Sequence, residues 1–295
     1  MKNRLSDIGE FGLIEKIREL SRTGPSVVRG IGDDCAVLRY KKNRYILFTT
    51  DMLVEGVHFT LKKTTPEAIG HKALAVNISD IAACGGIPKY AVVSVGMPVG
   101  ISRDYALRLY KGIENLARFF KMDVVGGDTN ASERLIVSIA MLGEVSKKNL
   151  LLRSGAKDKD AIVLSGPLSK EPDHLMFTPK IEKSQLILKG LMPSAMIDIS
   201  DGFLSDLGHI LKSSNKGALI YESLIPCKDK EYSFKKIINT GEQFELLFTM
   251  PAKKLSGLGK GFYVVGEIAS DKEGITLVDR SGKRKKARPE GYTHF

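Results

Sequence analysis

Seven aspartates in five short segments carry the chemistry open to this sequence: Gly32-Asp33-Asp34, Thr49-Thr50-Asp51, Asn77-Ile78-Ser79-Asp80, Gly126-Gly127-Asp128-Thr129 and Asp198-Ile199-Ser200-Asp201-Gly202. The chain as a whole is basic, with 45 Lys and Arg against 34 Asp and Glu, so acid gathered beside glycine, serine and threonine stands out. Carboxylates converging on one pocket repel one another unless divalent cations lie between them. Magnesium suits such a set, because it takes a few carboxylates, keeps several waters and bridges to phosphates. The pattern points to phosphoryl chemistry.

The segments offer their oxygens differently. Consecutive side chains on an extended segment point opposite ways, so one of Asp33 and Asp34 faces a metal, and Asp34 is the choice. An Asx-type turn accounts for the pair as well. Tyr45–Asp51 reads as an apolar strand ending in two hydroxyls and an acid, and ligands in α/β sheets gather at strand ends. His58 follows, as an anion contact or as a loop cap. Asn77 and Asp80 share a face of a mostly apolar helix, so Asp80 needs a partner, either a metal or a backbone cap. Val124-Val125 reads as a buried strand breaking into a diglycine turn, whose N–H groups approach phosphate while Asp128 holds a metal; a plain Asx turn also fits. Asp198 and Asp201 precede a helix start, with Ser200 or Asp201 as its cap and free N–H groups that favour phosphate. Arg153 is a candidate clamp for phosphate oxygens.

Alternating elements must position these groups. Strands are expected at Tyr45–Thr49, Ala91–Val95, Leu135–Leu142, Ala161–Leu164, Leu219–Tyr221, Phe244–Met250, Tyr263–Ile268 and Ile275–Val278. Helices are expected over Pro66–Ala83, with Thr65 as N-cap, over Ser102–Phe120, near Ile181–Leu191 and near Phe203–Leu211. A short opening helix presents Ile14, Ile17 and Leu20 on one face. The 295 residues predict about two domains, parted at the polar Ser146–Asn149 into residues 1–147 and 148–295. Two α/β domains is the simplest organisation.

Composition removes several classes. At 43% hydrophobic residues the chain fills real cores, and no apolar run reaches the ~18 residues of a membrane span. No secretory signal and no disulfide framework is visible, since Cys35, Cys84 and Cys227 are odd in number and far apart; a reducing cytoplasm is expected. Cys35 reads as a small packed residue at a strand start. The net charge of +11 is spread out apart from Lys283–Lys286, so no nucleic-acid partner is expected. P-loop, protein-kinase, G-x-S-x-G, H-E-x-x-H and paired C-x-x-C patterns are absent, so phosphoryl transfer must use another architecture.

Taken together, GIGDDCAVL, TTDMLVEGVHF, KALAVNISDIAACGG, VVGGDT, LLRSGAKDKD, MIDISDG, GEQFELLF and GYTHF resemble the thiamine-monophosphate kinase family, within the aminoimidazole ribonucleotide synthetase superfamily. The likeness runs from residue 30 to the last residue. It implies ATP-dependent phosphorylation of thiamine monophosphate to thiamine diphosphate, with several Mg²⁺ per site. It also implies a homodimer whose N-terminal mixed sheets form a shared β-barrel with helices outside, and a C-terminal α/β sandwich. The metal ligands it implies are Asp34, Thr49, Thr50, Asp51, Asp80, Asp128, Asp198 and Asp201; Asp51, Asp80, Asp128 and Asp198 act in catalysis through the metal. The nucleotide contacts implied are Tyr110, Gly127, Asp128, Arg153 and Ser200, and the substrate contacts His58, Glu242 and Tyr292.

Two departures from the family's wording stand out. Gln243-Phe244 replaces an Asp-Tyr pair after Glu242, and Pro167–Asp173 replaces a Gly/Ser/Ala-rich segment. The acceptor phosphate is already largely dianionic, so direct in-line transfer without a general base is expected. Tyr292 is placed to stack on a cationic ring, or simply packs. The rivals are a sister ATP-dependent synthetase of the same superfamily and a non-catalytic nucleotide-binding protein.

Overall fold

The computed structural model describes residues 4–191, 193–229, 231, 233–270, 274–289 and 291–292. It is a mixed α/β structure built on two sheets. In chain order the first part runs α1 (Gly9–Leu20), β1 (Val27–Arg29), β2 (Ala36–Lys41), β3 (Arg44–Val54), α2 (Pro66–Ala83), β4 (Ile87–Met97), α3 (Arg103–Phe119), β5 (Asp123–Ala131) and β6 (Ile136–Ser146). Its sheet is open, in the order β1-β2-β3-β6-β4-β5, antiparallel except for β4 against β5.

The helix starts follow from local chemistry. Thr65 Oγ1 accepts from Ala68 N at 3.2 Å with Pro66 in the first turn, and Ser102 Oγ accepts from Tyr105 N at 3.1 Å. Helix α2 is apolar nearly all round and buried, and it lies on the inward face of β3 and β6. That face carries Leu47, Leu53, Val93, Ile139 and Met141, none more than 4% exposed. The outward face is bare and apolar: Phe48 is 44%, Met52 56%, Tyr90 48% and Val92 40% exposed. The opening helix α1 is present, but none of its residues is buried.

Strand β5 differs from the expected diglycine turn. It continues through Gly126-Gly127 as an exposed edge strand paired in parallel with β4. A Cβ at Gly127 would sit 1.8 Å from Val93 O, so glycine here permits close strand approach instead of chain reversal.

The second part runs β7 (Asp160–Leu164), α4 (Ile181–Gly190), β8 (Ala195–Asp198), α5 (Phe203–Ser214), β9 (Lys216–Tyr221), α6 (Phe234–Asn239), β10 (Leu246–Pro251), β11 (Tyr263–Ser270), β12 (Ile275–Val278) and β13 (Arg284–Ala287). Its sheet orders as β13-β12-β9-β11-β7-β10-β8. One face packs against α5 through Ile197, Phe203, Leu207 and Leu247; the other joins the core of the first part through Val163, Met196 and Phe248. Helix α2 therefore touches both sheets, and Asp80 on it faces the junction. No helix among the described residues is long and apolar enough to cross a membrane.

Candidate active site

A cavity of about 850 Å³ opens at that junction, a size suited to small-molecule ligands. Asp51, Asp80, Asp198, Ser200 and Asp201 line it, with His58, Lys72, His174, Glu242 and Tyr292 also among its walls. Strand alternation decides which side chains of β3 reach the acids. Thr49 and Asp51 turn inward towards α2, and Thr49 Oγ1 donates to Asp80 Oδ2 at 2.5 Å. The strand continues three residues beyond Asp51, so Asp51 sits within the ladder and not at its end. Thr50 alternates to the more exposed face beside Met52 and Phe48, yet it also lines the cavity.

Carboxylate oxygens of Asp34, Asp80 and Asp198 lie within 4.8 Å of one another. Three backbones meet there: the turn before β2, the last turn of α2 and the end of β8. Ser79 Oγ donates to Asp198 Oδ2 at 2.6 Å. Asp33 turns the other way, to the Arg29 guanidinium and the Arg153 N–H. Arg153 gives Nε and Nη2 to Asp34 Oδ1 at 3.0 and 2.6 Å. It therefore holds a carboxylate in this structure, where an open phosphate clamp was expected.

Crowded burial raises the acids. Burial pushes Asp34 up to about 7 against the lowering charge of Arg153, with Asp198 adding to the rise. Burial likewise takes Asp51 and Asp198 to about 6. Asp80 rises well above the ordinary range, first by burial and then by repulsion from Asp51, Asp198 and Asp34. Asp34 Oδ2 is buried without a hydrogen-bond partner. A buried, unpaired carboxylate oxygen among other carboxylates is a costly arrangement that a hard cation relieves. The donor set thus fits Mg²⁺.

The cap before α5 differs from expectation. Gly202, with φ +124°, is the N-cap residue, and Asp206 Oδ2 accepts from the N–H groups of Asp201 and Gly202 at 3.1 Å each. Asp206 replaces Ser200 and Asp201 in that role, which leaves Ser200 at the cavity wall. Cys35 is buried, and burial pushes its thiol well up, as befits a packed residue.

The cavity wall holds two residues that sequence reasoning missed. Lys72 on α2 is 1% exposed, donates to His58 O at 3.1 Å and pairs with Glu242. His174 Nδ1 lies 2.9 Å from Glu242 Oε2. A lone lysine in an otherwise apolar helix, two turns before Asp80, was the available signal. Burial raises Glu242, but His174 and the Lys72 charge outweigh it and hold its carboxyl below the ordinary value. His58 Nδ1 accepts from Val54 N at 3.0 Å, so its ring also serves the turn after β3. Tyr292 N donates to Asp201 O at 3.2 Å; Thr293–Phe295 of the terminal motif lie outside the described residues.

Three expected nucleotide contacts stand elsewhere. Tyr110 packs on the first core from α3, while Gly127 and Asp128 lie on the exposed β5 edge. Asp51 pairs with Ile139, Ile139 with Val93 and Val93 with Gly127. Three strand spacings, roughly 14 Å, therefore separate Asp128 from the cluster along the sheet.

A curated thiamine-monophosphate kinase of Aquifex aeolicus is 34% identical over 99% of this chain and 100% of its own. That of Bacillus subtilis is 34% identical over 97% and 99%. The chain belongs to the thiamine-monophosphate kinase family. The solved structure of AaThiL complexed with AMPPCP and TMP matches with a TM-score of 0.88 at 31% identity, covering 100% of both chains. Residues 32–145 match the AIR synthase related protein, N-terminal domain. Membership of the kinase family fits a cavity lined by Asp51, Asp80, Asp198 and Asp201 together with Lys72, Glu242 and His174.

Proposed function

We propose that this chain transfers the γ-phosphoryl group of ATP directly to the phosphate of thiamine monophosphate, giving thiamine diphosphate and ADP. The observation that carries this is the convergence of Asp34, Asp80 and Asp198 with a partnerless buried oxygen on Asp34. Both reactants are polyanions, so repulsion between them is the barrier a kinase of this kind must lower. The chemistry magnesium supplies when bound is neutralisation of that charge and alignment of the phosphoryl oxygens.

Asp34, Asp51, Asp80 and Asp198 would hold the metal, with Asp201 and Thr49 beside them. Thr49 and Ser79 orient Asp80 and Asp198 by donating to one oxygen of each. Arg153 opposes the burial that raises Asp34 and so favours its ionised form. Ser200 N–H and hydroxyl groups at the wall serve nucleotide oxygens. At the other end His58, Glu242 and Tyr292 receive the thiamine moiety, with the Glu242 carboxylate facing its positive ring. No side chain is needed to deprotonate a phosphate that is largely dianionic near neutral pH.

The working unit is a homodimer. The bare apolar face around Phe48, Met52, Tyr90 and Val92 is of the kind that marks an interface between subunits. Two such sheets closing face to face make the shared barrel that the family resemblance implies. In that assembly Tyr110, Gly127 and Asp128 of each subunit complete the nucleotide end of its partner's site.

The test is an ADP-release assay with thiamine monophosphate beside thiamine and aminoimidazole ribonucleotide precursors. Turnover confined to thiamine monophosphate is expected. Turnover with an aminoimidazole precursor, or ATP binding with no turnover on any acceptor, overturns the reading.

A further inference from the structure

Four consecutive residues, Glu242 to Glu245, each grip a different point of the irregular segment 165–180 between β7 and α4. Glu242 meets His174. Gln243 forms a reciprocal pair with Ser169: Ser169 N donates to Oε1 at 2.9 Å, and Nε2 donates to Ser169 O at 2.7 Å. The Phe244 ring stacks on Phe177, with centroids 4.0 Å apart and planes 5° from parallel. Glu245 accepts from Ser165 Oγ at 2.6 Å and pairs with Lys180 at 3.0 Å. Helix α2 adds a fifth tie, from the His71 ring to Phe177 O at 2.8 Å.

Long connections without secondary structure are usually functional or disordered. This one is pinned along its length, and it presents Glu171, Pro172 and His174 to the cavity. Its grips also join the two departures from the family's wording. An aspartate at position 243 accepts only, so it cannot donate to Ser169 O; the glutamine carboxamide does both. Gln243, Phe244 and the Pro167–Asp173 segment thus act as one unit.

The point of the arrangement is Glu242. Its backbone sits at φ +57°, the left-handed region, which sets the direction of its side chain. The Lys72 ammonium engages Oε1 and lies 2.7 Å from His174 Nδ1. In one tautomer His174 accepts from Lys72; in the other it donates to Glu242 Oε2. Either way the imidazole and the buried ammonium leave the carboxylate one orientation.

We propose that segment 165–180 is a fixed wall of the acceptor end, and that His174 is a positioning residue which, with Lys72, aims the Glu242 carboxylate at an organic cation joined to a phosphate. This rests on the thiamine monophosphate reading above. The test uses the full chain and the variants His174→Ala, His174→Gln and Gln243→Asp. Each is measured for kcat, for KM towards thiamine monophosphate and ATP, and for amide hydrogen exchange across 165–180.

His174→Ala raises KM for thiamine monophosphate about tenfold with kcat and KM for ATP little changed, the mark of lost ground-state binding. His174→Gln, which keeps a donor and an acceptor, recovers most of that loss. Gln243→Asp speeds exchange across the segment and raises the same KM. An unchanged KM in His174→Ala, a joint rise for both substrates, or unchanged exchange in Gln243→Asp overturns the proposal. If the wild-type chain does not turn over thiamine monophosphate, the kinase reading falls; the wall is then judged by the exchange result alone.

Discussion

Ser79, on a helix of the first part, donates its hydroxyl to Asp198 Oδ2 on a strand of the second, across 2.6 Å. That bond joins the two halves at the point where the acids converge. It lowers Asp198 against the burial that raises it. Ser79→Ala therefore weakens metal binding more than folding. Loss of one buried hydrogen bond costs about 1 kcal/mol of stability, while the Mg²⁺ concentration for half-maximal turnover rises several-fold. An unchanged Mg²⁺ requirement, measured by titrating turnover, removes Ser79 from the site.

Asp128 stands about three strand spacings from Asp51 along one sheet. If each site takes Asp128 from its partner, two inactive variants complement each other. Asp51→Asn mixed with Asp128→Asn after subunit exchange places both changes in one site of the heterodimer and none in the other. Random exchange then restores about a quarter of wild-type sites. Activity that stays at the level of the separate variants contradicts a shared site.

Protons and magnesium compete for the same oxygens. The folded state raises Asp34 to about 7 and Asp51 and Asp198 to about 6, from the ordinary value of 3.8. In metal-free protein the folded chain thus binds more protons than the unfolded chain across that window. The stability these groups contribute is full below their unfolded values and is lost as pH rises through their folded values. Thermal melting in chelator shows a Tm that falls between about pH 5 and pH 8, and added Mg²⁺ raises Tm more at the upper end. A Tm that climbs over this range in chelator, with equal Mg²⁺ shifts at both ends, contradicts the electrostatics.

The sequence shows the ligands more clearly than it shows their faces. Helix α2 was legible to the residue, because Thr65, Pro66 and a long apolar run act locally. Alternation along an extended segment favoured Asp34 over Asp33, although the pair lies in the turn before β2 and not on a strand. The same rule applied to β3 would have separated Thr50 from Asp51, but only with the strand extended past its acid. The β5 edge was misread, since diglycine signals a turn unless a neighbouring strand approaches as Val93 does. Lys72, His174 and Asp206 were missed because their roles lie in their partners. Lys72 and His174 meet each other across 102 positions and Lys72 meets Glu242 across 170, distances at which spacing carries no signal, while Asp206 reaches back only 4 and 5 positions from inside its helix.

If the proposed function holds, Asp34, Asp51, Asp80 and Asp198 share divalent cations beneath ATP. Anomalous diffraction from crystals grown with Mn²⁺ and a non-hydrolysable ATP analogue tests it directly. Manganese peaks are expected about 2 Å from oxygens of these four aspartates. Nucleotide bound in the cavity with no metal peak at the carboxylates would contradict it.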